Sequence, residues 1–596
     1  MRIIIVSLFF ILIIISQMNT IVDIDLWWIL KTGEFITTNL NVPRIDIFSY
    51  TLGNNEWVNH EWFSQVIFYT VFQRFGWAGI NMLKALVVSL CFFILLFLVF
   101  SRYKKMVFYL FIALFSILAF GYRSFARPEI FSYLLLCIYF YSLEKRKGLF
   151  ILPVLQILWV NLHGYFILGP LLIFLYSVGE WLSGEKDKAK RLAIVFMWTA
   201  FACFISPYFY KGAFYPFRIL LDVFTEQKLW IRNMTEVMMP VNSDFGAYAF
   251  LWVFTFLSSA TFVLNIKKAK ISHVLVYAFL FAASYFAIRN IPMFIFLGVP
   301  LASINFNEAR LTKERQEKMF YFPFAIAICC VIYFFASDGY YKFTGQFPMR
   351  KTGIEVSKLL TPSGACNFLK KNHIEGRIFN TVDFGPYIAY EFYPEKRIFI
   401  DSRSDLYRDD FYKIYSMVED NPVALEKVRG AYNFDISLIR HLFKDTVKLL
   451  RYLHENPEWA MVYYDENSAV FIKDNYKNKE ILQKYRIDFN RKKIMDSDVN
   501  INIAAFFQKI GELRLAEEIY LKLLEVNPKF LDAGNNLAAI YIDTGRLEKG
   551  VKLINKFLNC YPESAGLYAN MRVAYLRMEI RNGDNGYKKD DILPEK

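Results

Sequence analysis

Residues 79–101 read GINMLKALVVSLCFFILLFLVFS. An apolar run of this length matches the ~20 residues a helix needs to cross the hydrocarbon of a bilayer. The residues that end it, Ser101-Arg-Tyr-Lys-Lys, are basic. A long apolar stretch closed by positive charge is the pattern of a membrane span whose end faces the cytoplasm.

Working outward, further apolar segments cover 3–20, 106–122, 128–144, 149–162, 165–182, 191–206, 247–266, 271–288, 291–305 and 319–336. The fold class expected for residues 1–337 is a polytopic α-helical membrane bundle of about eleven transmembrane helices. Several segments are shorter than a full span, notably the pairs 149–162 with 165–182 and 271–288 with 291–305. Residues 61–75 (EWFSQVIFYTVFQRF) are apolar on one side only and are expected to lie flat in the interface as an amphipathic helix. The run Ile3 to Ile15 follows Arg2, but Ser16-Gln-Met-Asn-Thr lacks a small-x-small cleavage site, so it reads as an uncleaved first helix.

Of the 596 residues, 55% are apolar, and the long apolar runs stop near residue 337. The net charge of +14 does not point to nucleic acid, because no Lys/Arg-rich stripe occurs in the water-soluble part. Five of the seven cysteines (Cys91, Cys137, Cys203, Cys329 and Cys330) lie in apolar runs, where a thiol acts as a small hydrophobe. Cys366 and Cys560 remain, which makes neither a disulfide framework nor a zinc pattern.

Charge fixes an orientation. With the N-terminus in the cytoplasm, the inside loops are Ser101-Arg-Tyr-Lys-Lys, Glu144-Lys-Arg-Lys, Glu185-Lys-Asp-Lys-Ala-Lys-Arg, Lys267-Lys-Ala-Lys and Glu308 to Lys318. Together they hold 17 Lys and Arg residues. The first outer loop, 21–78, holds only Lys31, Arg44 and Arg74 against six carboxylates. Every second loop is basic, as the positive-inside rule requires. An odd number of crossings then places the C-terminal part outside the cytoplasm.

Under this topology the costly polar residues gather at the outer face. Asp23 and Asp25 follow the first helix, and His60 and Glu61 open the interfacial one. Arg123, Arg127 and Glu129 lie between 106–122 and 128–144; Asn161, His163 and Gly164 follow 149–162. Ser206-Pro207 ends 191–206, and Arg289-Asn290 follows 271–288. An ionisable group in a bilayer costs about 2.5–3.5 kcal/mol on insertion scales, so each is a functional candidate. Interfacial snorkelling and helix capping explain any one of them equally well. Six clusters at one face favour a shared site. Carboxylates can take a proton from a hydroxyl or hold a divalent cation, and arginines present forks to phosphate. At the depth of lipid headgroups, that set suits transfer from a lipid-linked phosphosugar to a hydroxyl.

Residues 338–480 read as a small α/β domain. Arg377-Ile-Phe-Asn and Lys396-Arg-Ile-Phe-Ile-Asp are strand candidates. Trp459-Ala-Met-Val-Tyr-Tyr-Asp and Ser468-Ala-Val-Phe-Ile-Lys form a hairpin around Glu466-Asn467. Asp401, Arg403 and Asp405 follow a strand and suit either a ligand loop or a salt-bridged strand end. In residues 495–580, Gly511 and Gly545 are 34 apart, as are Pro528 and Pro562, which is the tetratricopeptide period. Two repeats are expected, with Leu567 to Met578 as a capping helix. Two are too few to stand alone, so they should pack on the preceding domain. They serve either as a protein-binding module or as a structural appendage. The polar tail 581–596 is expected to be disordered.

The order of these parts resembles the GT-C superfamily of membrane glycosyltransferases, and in particular a bacterial branch of it. The resemblance rests on Asp23-Ile-Asp-Leu-Trp-Trp-Ile-Leu-Lys-Thr-Gly-Glu-Phe-Ile, Pro43-Arg-Ile-Asp-Ile-Phe-Ser-Tyr-Thr, Trp57-Val-Asn-His-Glu-Trp, Arg127-Pro-Glu-Ile-Phe-Ser and Asn161-Leu-His-Gly. Asp383-Phe-Gly-Pro-Tyr-Ile and Ile400-Asp-Ser-Arg-Ser-Asp-Leu-Tyr extend it to about residue 475. It implies a polyprenyl-phosphate-linked sugar as donor and a protein or envelope glycan as acceptor. It also implies a bacterial inner-membrane location, and an acidic residue of the first outer loop, Asp25 or Asp23, acting at the acceptor or at a metal. His60, Glu61, Arg123, Arg127, Glu129, His163 and Arg289 would then bind substrate. Two other readings stand beside it. One is a non-catalytic scaffold whose repeats recruit envelope-assembly partners. The other is a transporter of lipid-linked sugars, which should carry its polar groups at mid-membrane rather than at one face.

Overall fold

The computed structural model describes residues 2–582 apart from 54, 104–106, 225–238, 241–244, 310–317, 404–405 and 408. Lys104 and Lys105 of one basic loop, most of the Glu308 to Lys318 loop, Asp405 and most of the tail 581–596 lie outside the described residues. The chain divides into two compact units: Met1–Leu360 with Ser402–Tyr412, and Thr361–Asp401 with Lys413–Lys596. Residues 338–360 thus go with the first unit rather than with the α/β domain.

The first unit is helical: α1 (Arg2–Gln17), α2 (Leu26–Asn39), α3 (Trp62–Tyr103), α4 (Val107–Gly121), α5 (Glu129–Lys145), α6 (Leu152–Val160) and α7 (Leu168–Leu182). Then come α8 (Lys186–Ala202), α9 (Phe209–Phe224), α10 (Phe245–Leu264), α11 (Ile271–Phe286), α12 (Ile291–Glu308), α13 (Tyr321–Ala336) and α14 (Gly339–Phe343). A helix sits on each of the eleven apolar segments. Among the described residues, however, only Trp62–Tyr103, Gly164–Leu182 and Ile288–Glu308 are long and apolar enough to cross a membrane. The other apolar helices have 10–17 residues. At 1.5 Å per residue, 16 residues reach ~24 Å against a hydrocarbon core of ~30 Å. The shortfall arises because the ends of the runs are spent on turns and caps, as at Leu149–Ile151 and Asn161.

Helix α12 is apolar all round and is buried accordingly, packing against α3, α4, α5, α10 and α11. Helix α3 is broken at Gly76, whose φ of 58° and ψ of −151° are not helical. A glycine takes such a conformation without a Cβ clash. The break separates 62–75 from 77–103, close to where the sequence separates the amphipathic stretch from the apolar run. Helix α2 lies against the first part of α3 so closely that a Cβ on Gly33 would stand 2.2 Å from the Gln65 carbonyl oxygen.

The segment after α14 returns to the ends of α1 and α4. Thr352 bridges to Asn19 and Val356 to Ile21. Buried Arg350 donates to the carbonyls of Gly121 (2.9 Å), Tyr122 (3.3 Å) and Ser124, and to Asn19 Oδ1 (3.1 Å). These carbonyls lie at the C-terminus of α4 and in the turn that follows it, where a cation also suits the helix dipole.

The second unit contains, among its described residues, a four-stranded sheet in the order β1-β2-β4-β3: β1 Ile378–Asn380, β2 Ile436–Arg440, β3 Trp459–Tyr464 and β4 Ser468–Lys473. β1 and β2 are parallel, and the other pairs are antiparallel. The hairpin forms as expected, and Asp465 Oδ1 accepts the backbone N–H groups of Asn467 and Ser468 (3.1 and 2.8 Å). One strand expectation needs correction. Lys396-Arg-Ile-Phe-Ile-Asp is not a strand, because the Asn380 side chain takes the place of a ladder partner. Asn380 Nδ2 donates to the Ile400 carbonyl (2.7 Å), and Asn380 Oδ1 accepts from the Phe399 N–H (2.9 Å). The strand that fills the sheet is instead Ile436–Arg440, buried along its whole length.

Helices Ile501–Ile510 with Leu513–Val526, and Leu531–Asp543 with Leu547–Leu558, form two hairpins, followed by Ala565–Asn582. Gly511 and Gly545 turn out of the first helix of each pair with φ of 92° and 75°. The first hairpin docks on helix Val447–Glu455: Arg451 Nε donates to the Lys509 carbonyl (2.6 Å), and His454 pairs with Glu512 (3.0 Å). The His441 ring stacks on Phe506 at 4.4 Å.

Candidate functional site

After α1 the chain turns through Asp23 and Asp25 into α2. Asp25 occupies the N-cap position, but its φ and ψ of −69° and −24° are helical and its side chain caps no N–H. Capping therefore does not account for this carboxylate. Its Oδ2 instead meets Arg127 Nη2 at 2.9 Å, and its Oδ1 accepts the Ser402 hydroxyl and the Trp28 indole N–H (3.4 Å). Asp23 Oδ2 takes Arg127 Nε at 2.5 Å, and its Oδ1 accepts the Asp25 N–H at 3.0 Å. One guanidinium thus holds both carboxylates. The two differ in access: the Asp23 side chain is 1% exposed and that of Asp25 is 22% exposed.

The turn between α4 and α5 supplies Arg127. The Phe125 ring lies under Arg127 (5.3 Å), Arg123 (4.8 Å) and Arg350 (5.5 Å), so three cations share one aromatic face or edge. Arg123 stands 3.9 Å from Glu129.

The second cluster is centred on Glu61. Its Oε1 faces His60 Nε2 (3.5 Å) and His163 Nε2 (3.3 Å). His163 Nδ1 accepts the Tyr165 N–H (3.2 Å) and meets the Ser132 hydroxyl (3.1 Å), which itself accepts from Trp159 Nε1 (2.8 Å). A Nδ1 that accepts leaves the imidazole proton on Nε2, pointing at Glu61. Burial pushes His163 down to about 3, so the ring is neutral. Burial opposes ionisation of Glu61, but the His60 hydrogen bond and neighbouring positive charge, including that of Arg127, outweigh it and hold the carboxyl below its ordinary range. The His60 ring stacks on Tyr215 of α9 at 4.3 Å. Arg289 Nε donates to the Tyr165 hydroxyl (3.0 Å), on which Glu129 and Arg123 also act electrostatically. Asn161 serves the frame instead. It accepts from Trp62 Nε1 (2.7 Å) and donates to the Ile205 carbonyl (3.0 Å), tying the ends of α6 and α8 to the start of α3.

Asp23, Asp25 and Arg127 form one cluster and Glu61, His60 and His163 another, and the Arg127 charge acts on both Glu61 and His163. Arg289 and the Arg123–Glu129 pair flank them through Tyr165. Among the described residues, no three His, Cys, Asp or Glu side chains are grouped to hold a metal ion. A divalent cation at Asp25 would have to complete its oxygen shell with phosphate or water.

Four partners escaped the sequence reading. Lys84 lies within the apolar run, 1% exposed, donating to Asn19 Oδ1 (3.3 Å) and the Ser124 carbonyl (3.5 Å) and acting electrostatically on Asp23. A lone cation in an apolar run was its signal. Tyr215 and Phe125 gave no signal beyond being aromatic. Arg403 was singled out, but not with its partner Asp46, which it meets at 2.8 Å. Both side chains are buried, and the guanidinium lies over Trp57 (4.5 Å) and Phe48 (5.0 Å). Burial raises the Asp46 pKa, yet the Arg403 charge and hydrogen bonds from Ser49, Arg403 and the Phe48 N–H bring it below the usual value.

No family model matches this chain, and no curated protein matches it.

Proposed function

We propose that the protein is a multi-pass membrane glycosyltransferase of GT-C type. It would move a sugar from a polyprenyl-phosphate donor to a hydroxyl of a protein or envelope glycan at the outer face of a bacterial inner membrane. The observation that carries this reading is the unequal pair of carboxylates on Arg127. Asp23 is buried and fixes the guanidinium, which leaves Asp25 as the reachable base. Asp25 takes the acceptor proton as the acceptor oxygen attacks the anomeric carbon. The bond from that carbon to the donor phosphate breaks, and the polyprenyl phosphate leaves. Arg289 and Arg123 offer positive charge where the phosphate charge develops. The neutral His163, with its N–H on the Glu61 carboxylate, keeps the Glu61 cluster in a fixed protonation state beside it. All eleven apolar helices cross or enter the membrane in this reading, the short ones paired, and the repeat helices select the acceptor.

The test mixes purified protein with radiolabelled polyprenyl-phosphate sugars and envelope extract. Transfer that disappears in Asp25→Asn is the expected result. An unchanged glycan and glycoprotein profile in cells carrying Asp25→Asn, Asp23→Asn and Arg127→Ala would refute catalysis and leave the scaffold reading. A phosphatase fused after Lys473 should be active outside the cytoplasm; an inactive fusion would invert the topology.

A further inference from the structure

Away from the acidic site, an open groove of about 630 Å³ lies between the start of α6 and the middle of α8. Its volume falls within the ~300–1,000 Å³ typical of ligand sites. The walls are Leu149, Phe150 and Pro153 on one side and Ile194, Val195 and Trp198 on the other, with Arg146 at the mouth. Phe150 is 79% exposed and Trp198 62%, so large apolar side chains border an open channel. Beyond the lining, exposed Val154 and Leu158 continue the stripe along α6, and Phe201 continues it along α8.

One end of the groove is positive. Arg146 pairs with Glu180, and exposed Lys147 follows it. Arg191 lies three residues before Ile194 in α8, so helical spacing puts it on the groove face one turn nearer the basic end, and it is exposed. Lys186, Lys188 and Lys190 precede it, against Glu185 and Asp187. An apolar channel closed at one end by cations is complementary to a molecule with a hydrocarbon chain and an anionic head.

We infer that this groove binds an anionic phospholipid, its acyl chain between α6 and α8 and its phosphate at Arg146 and Arg191. The inference rests on the membrane placement of the helical unit, but not on glycosyl transfer. Arginine forks suit phosphate, and the basic loops that hold them are the ones expected to face the anionic cytoplasmic leaflet. The site lies at the opposite end of α6 from Asn161, and therefore away from the acidic cluster.

Native mass spectrometry of the full chain in detergent tests it, with phosphatidylglycerol and phosphatidylcholine of equal chain length titrated in turn. The wild type should take up one phosphatidylglycerol at a concentration at least tenfold lower than phosphatidylcholine. Arg146→Gln with Arg191→Gln should abolish that preference, and Ile194→Trp, which fills the channel, should weaken both lipids. Lys268→Gln, in another basic loop, and Asp25→Asn should leave the preference intact. If the double variant is not monodisperse, the single exposed Arg191→Gln carries the test, with at least a threefold loss expected. Equal uptake of the two lipids by the wild type would overturn the inference, as would a preference that survives Arg191→Gln and the double variant. Stoichiometric displacement of phosphatidylglycerol by polyprenyl phosphate would also overturn it and make the groove a donor site. Because no sugar transfer is read, an inactive enzyme with an intact lipid preference separates this inference from the proposed activity.

Discussion

Replacing Arg403 by Met should open the turn that pairs residues 44–46 with 55–57. Residues 44–46 and 55–57 run antiparallel, with the Asp46 N–H on the Asn55 carbonyl and the Trp57 N–H on the Arg44 carbonyl, both at 2.9 Å. Arg403 sits on this turn as the buried counter-charge of Asp46 and as a cation over Trp57 and Phe48. Met keeps much of the stem volume and removes the charge. Asp46 is then left buried with only Ser49 and two backbone N–H groups. Breaking a buried pair on one side costs about 3–5 kcal/mol. At 1.36 kcal/mol per tenfold change, that is roughly two to three and a half decades in the population of the open loop. Hydrogen exchange read by mass spectrometry on peptides covering 44–57 would detect it as amides exchanging about a hundred to several thousand times faster, since such exchange reports local opening. Adding Asp46→Asn should restore much of the protection, because a neutral pair no longer carries an uncompensated charge. The pH dependence has a definite sign. The folded pKa of Asp46 is depressed, so its contribution is fully present above the ordinary aspartate value of about 3.9 and is lost as the pH falls below it. Unchanged protection in Arg403→Met, or a double variant worse than the single one, would refute the reasoning.

Asp23→Asn should cost about 1.5–3 kcal/mol of stability through its charged hydrogen bonds, while the more exposed Asp25→Asn costs less; thermal unfolding in detergent checks the order. Gly33→Ala drives a methyl into the Gln65 carbonyl and the Tyr69 Cβ and should cost about 1–3 kcal/mol, seen as a reduced monodisperse yield. Asn380→Ala removes the partners of Phe399 and Ile400, and amides of residues 396–401 should then exchange at least tenfold faster. His441 is buried and its pKa is lowered to about 4, so the unfolded chain takes up a proton between about 6.5 and 4 that the folded one refuses. Stability should fall across that window as the pH drops, by about 3 kcal/mol at most, and His441→Leu should flatten the slope in an unfolding titration.

The helix positions were legible because each rests on a contiguous apolar run, a local property. Crossing lengths were not, since capping by Asn161 or a 3₁₀ turn at Leu149–Ile151 depends on neighbours. Helix α9 escaped because its aromatic residues alternate with Lys211, Pro216 and Arg218 and make no continuous run. In the sheet, Ile436–Arg440 was overlooked beside the more conspicuous Lys396-Arg-Ile-Phe-Ile-Asp, and only the Asn380 side chain decides between them. The members of the acidic site were legible, since ionisable residues beside apolar runs are expensive wherever they sit. Its internal order was not: the sharing of Arg127 by Asp23 and Asp25 and the unequal burial of the two arise from the fold. The pairing of Asp46 with Arg403 joins residues more than 350 positions apart, beyond any local pattern.

The Arg350 contacts also impose a timetable. The carbonyls of Gly121, Tyr122 and Ser124 await a guanidinium encoded more than 220 residues later. At ~5–20 residues per second, a ribosome needs roughly ten to fifty seconds to deliver it. Throughout that interval the nascent α4 has an unfinished end, and Asn19 lacks the same ligand. The site next to them is therefore completed late in biogenesis, and a chain interrupted before residue 350 would leave the ribosome with its helices made but the ends of α1 and α4 unsealed, a defect open to quality-control proteases.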